Sequence, residues 1–436
     1  MTNKQQILLA YYGDDFTGST DALEFISRAG AKAVLFIEPP TAEQLQRFPA
    51  LDVIGVAGKT RSQSPEEMEK VLMPAFAQLK ATGAKHVHYK VCSTFDSAPH
   101  IGSIGKAIDC GAEVFQNALI PVIGGMPALG RFCVFGNLFA RMGTGGNGAS
   151  YRLDRHPSMS KHPVTPADES DLRLHLSKQT SKTFGLIDVM QLETDHATWS
   201  HTLQDAEVVL VDALHDEHLE KVGAWMNSLA ANETLFSVGG SSVEAALGAN
   251  WKAQKVWPES VDANSWSQPN VAEPLLVVSG SCSPVTAGQI AWAKANGFEE
   301  VIIDAQQIVH EQAGYEAAIN AMLALLQQQK NVIVHTGTKA GDNLSSEVLG
   351  TVLGTIAKTA VEQAGVKRVV IAGGDTSSYA ARAMQIEAVE MIAPLISGAP
   401  LCKAHSAHEK INGLEVNFKG GQVGTPNYFG VLQKGQ

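Results

Sequence analysis

Long apolar runs are missing from this 436-residue chain: no stretch approaches the roughly 20 consecutive apolar residues that span a bilayer. The N-terminal MTNKQQILLAYYGDD has too short an apolar run, and no cleavage-site pattern, for an export signal. Cysteine is scarce. Cys92, Cys110, Cys133, Cys282 and Cys402 are scattered, odd in number and form no C-x-x-C pair, which suits a reducing compartment and carries no zinc pattern. A cytoplasmic location is therefore expected. Positive charge is not in surplus either: 33 Lys+Arg against 44 Asp+Glu leave a formal net charge of -11. That excludes a chain whose main task is gripping nucleic acid, while one local basic pocket would still serve a phosphorylated ligand. The common nucleotide fingerprints are absent too. At Gly105-Lys106 the first Walker A glycine is replaced by His100 and the following residue is Ala107, and no G-x-G-x-x-G follows the first apolar run.

What is present is ordinary globular composition, 44% hydrophobic and 18% charged, in a chain too long for one core. The first half alternates short β-branched runs with helical spacing. Strands are expected at 7–11, 33–37, 53–57 and 86–91, and a helix within 65–83, which opens on proline and acids and closes on Gly83. Two apolar runs around Gly136-Asn137 predict a hairpin, followed by a long polar loop holding Gly143, Gly145, Gly146 and Gly148. Strands resume at 183–190, 207–212 and 235–239. Periodicity fades over 251–273, the expected linker, and returns with strands at 275–278, 301–304, 332–335 and 369–372; two last strands are expected within 413–430. The expected fold is α/β in two domains, 1–250 and 274–436. Each is a mainly parallel sheet flanked by helices, with a cleft between them.

Three stretches repeat one build of strand, small-residue loop and helix: FSVGGSSVEAAL (236–247), LVVSGSCSPVTAGQIAWA (276–293) and VVIAGGDTSSYAARAM (369–384). Bare backbone N–H groups at a helix start make an anion site. Glycine and serine are also simply good turn and cap residues, so one loop decides nothing. Two in one domain, with Lys419-Gly420-Gly421-Gln422-Val423-Gly424, favour a phosphate-rich ligand. In the first domain, polar groups gather at three strand ends: Gly13-Asp14-Asp15, Lys59-Thr60-Arg61-Ser62 and Lys90-Val91-Cys92-Ser93-Thr94. Acids to accept from hydroxyls, and bases to pair with a carboxylate, are what a sugar acid requires. The plainer alternative is that Asp15 or Thr17 caps the next helix and Arg61 is a solvated loop residue. His86 and His88 alternate on a strand and read as one exposed face rather than a metal pair. His156 and His162 lie in the irregular loop without a supporting ligand set, and no metal-binding residues are assigned. Cys92 reads as a small packed side chain.

Taken in order, YYGDDFTGSTDALE, GKTRS, YKVCST, HPVTPADESDLRLHLSKQT, VVSGSCSPVTAGQI, VIAGGDTSS and GLEVNFKGGQVG resemble the four-carbon acid sugar kinase family over nearly the whole chain. The resemblance implies ATP-dependent phosphorylation of acids such as threonate, erythronate or 3-oxo-tetronate. It also implies a sugar-acid site in the N-terminal domain and ATP in the C-terminal one. It places Asp14, Asp15, Arg61, Lys90, Cys92, Ser93 and Thr94 against the acid sugar. Ser279, Ser281, Gly373, Gly374, Asp375, Thr376, Gly420, Gly421 and Gly424 fall against ATP. One departure stands out. The family continues its fourth strand as K-x-D-S-T-L-R-G-N, whereas here Cys92 replaces the acid, and Asp96-Ser97 replace the Arg-Gly pair. That points to a different acid sugar, oxo or branched, such as 3-oxo-isoapionate.

The expected activity is phosphoryl transfer from MgATP to a hydroxyl of a small sugar acid, with ATP and Mg2+ as cofactors and no nucleic-acid or membrane partner. Homodimerisation is left open by the sequence. Asp14 or Asp15 would accept the hydroxyl proton, with Asp375 as the competing acid, placed where it could bind Mg2+. Two rivals are a nicotinamide-dependent sugar-acid dehydrogenase, disfavoured by the missing dinucleotide fingerprint, and a non-catalytic two-domain binding protein.

Overall fold

The computed structural model describes residues 6–142, 148–203, 205–257, 266–303, 313–337 and 345–436, apart from the side chains at 200–202, 313–314 and 375. Most of the Gly143 to Gly148 loop lies outside the described residues. The chain forms two compact units, Met1–Ala33 with Pro39–Val261, and Val34–Glu38 with Asp262–Gln436. The 33–37 strand expected within the first domain is thus mostly part of the C-terminal unit. The expected linker begins inside a helix of the N-terminal unit, where Trp251 is buried.

Along the chain run β1 (Leu9–Gly13), α1 (Phe16–Arg28), β2 (Ala33–Phe36), α2 (Ala42–Gln46), β3 (Val53–Ala57), α3 (Pro65–Ala81), β4 (His86–Lys90), α4 (Ile104–Phe115) and β5 (Ile120–Ile123). A small antiparallel sheet follows, β6 (Arg131–Val134), β7 (Asn137–Arg141) and β8 (Ser150–Arg152). Then come α5 (Leu172–Ser177), β9 (Phe184–Ile187), β10 (Val208–Val211), α6 (Asp216–Leu229), β11 (Leu235–Gly239) and α7 (Ser242–Ala253). The main sheet of this unit has the order β3-β1-β4-β11-β5-β10-β9, every pairing parallel. Its strands are near-continuous apolar runs such as Val208–Val211 because helices cover both faces. Local chemistry agrees with this layout. Ser64 and Glu67 form a capping box on α3, Pro65 occupies its first turn, and Gly83 follows its end at φ +76°.

The C-terminal unit runs β12 (Leu275–Ser279), α8 (Pro284–Ala295), β13 (Glu299–Ile302), α9 (Ala313–Gln327), β14 (Val332–His335), α10 (Ser346–Ala364), β15 (Arg368–Ala372) and α11 (Gly374–Ala383). It ends with β16 (Ala388–Ala393), β17 (Leu401–His405), β18 (Glu415–Lys419) and α12 (Tyr428–Lys434). β13-β14-β12-β15-β18 are parallel, and β18-β17-β16-β2 continue antiparallel, Leu35 and Phe36 of β2 pairing with Val389 and Ala388.

Four expectations are corrected. The second strand within 413–430 is the helix α12, because Tyr428, Phe429 and Leu432 bury a helical stripe in the core of this unit. The 301–304 strand sits two residues earlier, and Asp304 lies outside the described residues. His86 and His88 are fully buried, not an exposed face, because α7 covers that side of β4: His86 stacks edge-on to Trp251 and His88 Nδ1 is 2.7 Å from Glu244 Oε1. The hairpin turn falls one residue early, at Phe135 (φ +51°) and Gly136 (φ +82°). A phenylalanine holds that left-handed conformation because the buried Asp212 carboxylate accepts the Phe135 N–H at 2.5 Å and the Gly136 N–H at 2.9 Å.

Candidate functional site

In an open parallel sheet, ligands bind beyond the carboxyl ends of the strands, where successive connections leave in opposite directions. In the N-terminal unit that point is β1 and β4: after β1 the chain builds β3 on one side, then β4 on the other. Asp14 and Asp15 leave the end of β1, and Lys90 to Ser97 leave the end of β4. The approach is close. The Gly58 N–H donates to Gly13 O at 2.9 Å, and a Cβ at Gly58 would sit 2.3 Å from that oxygen.

Arg61 grips both acids. Its Nε donates to Asp14 Oδ2 at 3.0 Å and its Nη2 to Asp14 Oδ1 at 2.7 Å, a bidentate fork, and Nη2 also reaches Asp15 Oδ1 at 2.8 Å. Asp15 is at the same time the cap of α1, accepting the Gly18 N–H at 2.9 Å and the Thr17 hydroxyl at 2.9 Å. The cap and the charge cluster are therefore one residue in two roles, and Arg61 is no solvated loop residue. Asp14 is 3% exposed and Asp15 7%. Burial raises the Asp14 pKa above the usual carboxylate value against the pull of Arg61, with the neighbouring Asp15 charge adding to the rise. For Asp15, burial is outweighed by Arg61 and Lys90, helped by Thr17 and Gly18, and its pKa is lowered. Adjacent acids pushed in opposite directions are the pattern of a base beside a fixed charge.

The loop after β4 supplies the opposite wall. Lys90 is buried, with Nζ donating to Val91 O at 3.0 Å and lying 3.8 Å from Asp21 Oδ2. Cys92 Sγ is 3.0 Å from Thr94 Oγ1, and Thr94 donates to Asp96 Oδ1 at 2.8 Å. Burial first, then the Asp96 charge, pushes the Cys92 thiol up to about 11, so at neutral pH it is a thiol and not a thiolate nucleophile. Ser93 faces Gly240, which puts the loop that opens at Gly240 beside this site. Sequence reasoning missed Asp21, whose Oδ1 is buried without a hydrogen-bond partner among the described residues, and it missed Arg131. Asp21 sits one helical turn past Thr17 and carried no motif. Only the sheet brings it to Lys90. A groove of about 700 Å³ lined by Ile7, Leu45, Phe48, Ile54 and Gly83, among others, is mainly apolar and lies near the opposite strand ends, away from these groups.

In the C-terminal unit the equivalent point is β12 and β15, and three loops meet there. Gly280 N–H donates to Ala372 O at 3.0 Å, and Gly373 N–H to Lys419 O at 2.8 Å. Ser281 Oγ donates to Thr286 Oγ1 at 3.0 Å, and Thr286 to Gly421 O at 3.1 Å. Gly373 has φ +136°, and a Cβ there would lie 2.8 Å from Thr376 Oγ1. Ser283 caps α8, whereas the cap position of α11 is Gly373, which has no side chain to accept from the first turn. Ser279, Ser281, Gly373, Gly374, Thr376, Gly420 and Gly421 thus lie on one set of interlocked loops. Gly424 lies further on at φ +87°, against Tyr428. The Asp375 side chain lies outside the described residues. Lys419 ties the loops together, its buried Nζ donating to Thr286 Oγ1 at 2.9 Å, Gly420 O at 2.9 Å and Gly421 O at 3.3 Å. Among the described residues no group of three or more His, Cys, Asp or Glu could hold a metal ion.

Comparison with known proteins bears on both loop sets. Residues 9–247 match the sugar-binding N-terminal domain family and residues 276–429 the nucleotide-binding C-terminal domain family. The chain is 40% identical to a 3-oxo-isoapionate kinase of Paraburkholderia graminis, over 99% of this chain and 95% of that one. It belongs to the four-carbon acid sugar kinase family. A second acid sugar kinase, the 3-oxo-tetronate kinase of Cupriavidus necator, is 26% identical over 97% of this chain and 95% of its own. The fold itself recurs in a crystal structure from Salmonella typhimurium described as a putative tRNA synthase. That chain has a TM-score of 0.79 and 24% identity, covering 98% of this chain and 99% of that one. The protein is a sugar-acid kinase, and the dehydrogenase and binding-protein alternatives are not favoured. No helix among the described residues is long and apolar enough to cross a membrane.

Proposed function

We propose that this kinase transfers the γ-phosphoryl group of MgATP to a hydroxyl of a branched, oxidised sugar acid of the 3-oxo-isoapionate type. The observation that carries this reading is the 40% identity with a 3-oxo-isoapionate kinase along almost the whole chain, against 26% for a 3-oxo-tetronate kinase. The altered loop after β4, Cys92 to Ser97, supports it. There Thr94 turns its hydroxyl to Asp96, so the loop's polar groups are arranged differently from the family pattern.

In this reading Asp14, the buried acid with the raised pKa, accepts the proton of the attacking hydroxyl, and Asp15 with Arg61 fixes its orientation. Lys90, Cys92, Ser93 and Thr94 line the acid sugar. The loops at Ser279 to Ser283, Gly373 to Thr376 and Gly420 to Gly424 cradle the nucleotide phosphates on backbone N–H groups, as at other glycine-rich helix starts. The Mg2+ of MgATP would neutralise charge on the phosphates, and Asp375, within the 373–376 loop, is the acid that would hold it. Five free cysteines support a cytoplasmic setting.

The test is ADP release with MgATP against 3-oxo-isoapionate, the 3-oxo-tetronates, threonate and erythronate. The reading expects kcat/KM for 3-oxo-isoapionate to exceed each of the others by at least about tenfold. Equal or better turnover of a linear four-carbon acid overturns the substrate assignment while leaving the kinase intact.

A further inference from the structure

An arginine receives a carboxylate bidentately on either of two edges, Nε with Nη2 or Nη1 with Nη2, where two N–H bonds run parallel. On Arg61 the first edge is filled by Asp14, at 3.0 and 2.7 Å, and the second is broken because Nη2 gives its other N–H to Asp15 at 2.8 Å. Arg131 is the contrasting case. It opens β6, is half-buried, and its Nη1 is held by three backbone carbonyls: Leu129 O at 3.0 Å, Gly130 O at 3.4 Å and Arg141 O at 3.2 Å. Its Nε is enclosed and has no hydrogen-bond partner, and neither Nε nor Nη2 meets an acceptor or a carboxylate among the described residues.

The neighbours do not neutralise it. Asp21, Asp96 and Cys92 are near enough for their charges to act on the guanidinium, yet none forms an ion pair with it, and the Cys92 thiol is uncharged at neutral pH. His156 is turned elsewhere, its Nδ1 accepting from the Ser158 and Met159 N–H groups at 3.2 Å each. Burial pulls the Arg131 pKa down from its usual value, the direction expected for a cation short of a counter-ion. The guanidinium is also held in place. The turn of its hairpin is clamped by Asp212, and Cys133 pairs with Ala213 through N–H···O bonds of 2.9 and 3.2 Å. A fixed, partly desolvated cation whose Nη2 meets no acceptor among the described residues is a receptor for an anion.

We infer that Arg131 receives the carboxylate of the sugar acid through Nη2, beside the enclosed Nε, and that Arg61, whose Nε and Nη2 are already taken by Asp14 and Asp15, does not. The inference rests on the proposed function and sharpens it. Arg131 exchanges backbone hydrogen bonds of 3.1 and 2.9 Å with Met126, just past the carboxyl end of β5, and β5 follows β4 and β11 in the sheet. An acid sugar anchored at Arg131 therefore extends over these strand ends past Cys92, which both arginines' charges reach, towards Asp14.

The experiment pairs each sugar acid with its neutral carboxamide, in wild type, Arg131→Met and Arg131→Lys. Wild type is expected to prefer acid to amide by roughly 100-fold in kcat/KM. Arg131→Met removes that preference by raising KM for the acid, leaves KM for ATP unchanged and treats acid and amide alike. Arg131→Lys restores the charge without the fork and falls between. A purely structural role for Arg131 in its turn would lower both substrates together, and retention of the acid–amide ratio in Arg131→Met overturns the inference. If wild type phosphorylates none of the acids, the proposed function fails first. Threonate binding is then read from the shift in melting temperature: a shift in wild type that vanishes in Arg131→Met keeps the carboxylate site, and an equal shift or none in both removes it.

Discussion

Removing Arg61 tests the electrostatic logic of the site most directly. Arg61→Met keeps much of the volume but leaves Asp14 and Asp15 side by side, 3% and 7% exposed, without the guanidinium that donates three hydrogen bonds to them. Asp15 keeps Thr17, the Gly18 N–H and the nearby Lys90 charge. Asp14 loses both of its side-chain hydrogen bonds. Breaking a buried pair in this way costs about 3–5 kcal/mol. Part of that cost is avoided by protonation, and the sign of the effect is specific. Asp14 already has a raised pKa, from burial. In the variant its native form holds a proton that the unfolded chain, with an ordinary carboxylate pKa, releases. Where the folded state binds more protons, stability rises as pH falls, by about 1.4 kcal/mol per pH unit for one proton. Moving from pH 7 to pH 5 should therefore return up to about 2.7 kcal/mol of the loss relative to wild type. Urea unfolding followed by tryptophan fluorescence suits the measurement, since Trp199, Trp225, Trp251 and Trp257 all lie in the N-terminal unit. Adding Asp14→Asn to Arg61→Met should recover most of the deficit at pH 7 and flatten its pH dependence. A loss below about 1 kcal/mol at pH 7, the range of an exposed ion pair, with no pH slope, would refute the reasoning.

Two predictions concern the C-terminal unit. Burial lowers the Lys419 pKa to about 7, so between that pH and the usual lysine value the unfolded chain binds a proton the native state lacks. Stability of this unit should accordingly rise from pH 7.5 to 9 by up to about 1.4 kcal/mol per unit, and hydrogen exchange should show that slope abolished in Lys419→Met. An unchanged slope in the variant would place the titration elsewhere. Gly373→Ala adds a Cβ 2.8 Å from Thr376 Oγ1 at φ +136°. It should raise KM for ATP by at least about tenfold, with KM for the acid little changed and a stability cost of about 1–3 kcal/mol; an ATP KM within twofold of wild type would show that this loop does not shape the nucleotide site.

Much of the molecule was legible because local signals agreed with the global fold. The capping box at Ser64 and Glu67, the mainly apolar parallel strands and the glycine–serine loops after β12 and β15 each name their own local structure. Misreadings arose where the decisive partner was remote in sequence. The alternation of His86 and His88 is real, but α7, more than 150 residues on, covers that face and turns an apparent surface into core. Phe135 was not readable as a turn residue because the carboxylate that stabilises it, Asp212, is 77 residues away. The apolar residues of 428–432 fit either a strand or a helix in so short a run, and packing chose the helix.

By itself the sequence determined the α/β class, the two-part organisation and the strand ends that carry polar groups, because periodicity, caps and small-residue loops act within a few residues. Only the tertiary structure decided what those polar groups do. Whether an arginine is free to take a ligand depends on which acids the sheet order sets beside it, and that order brings Asp14 to Arg61 and leaves Nη2 of Arg131 without an acceptor among the described residues. Chain-distant geometry of that kind leaves no mark on either arginine's neighbours in the sequence.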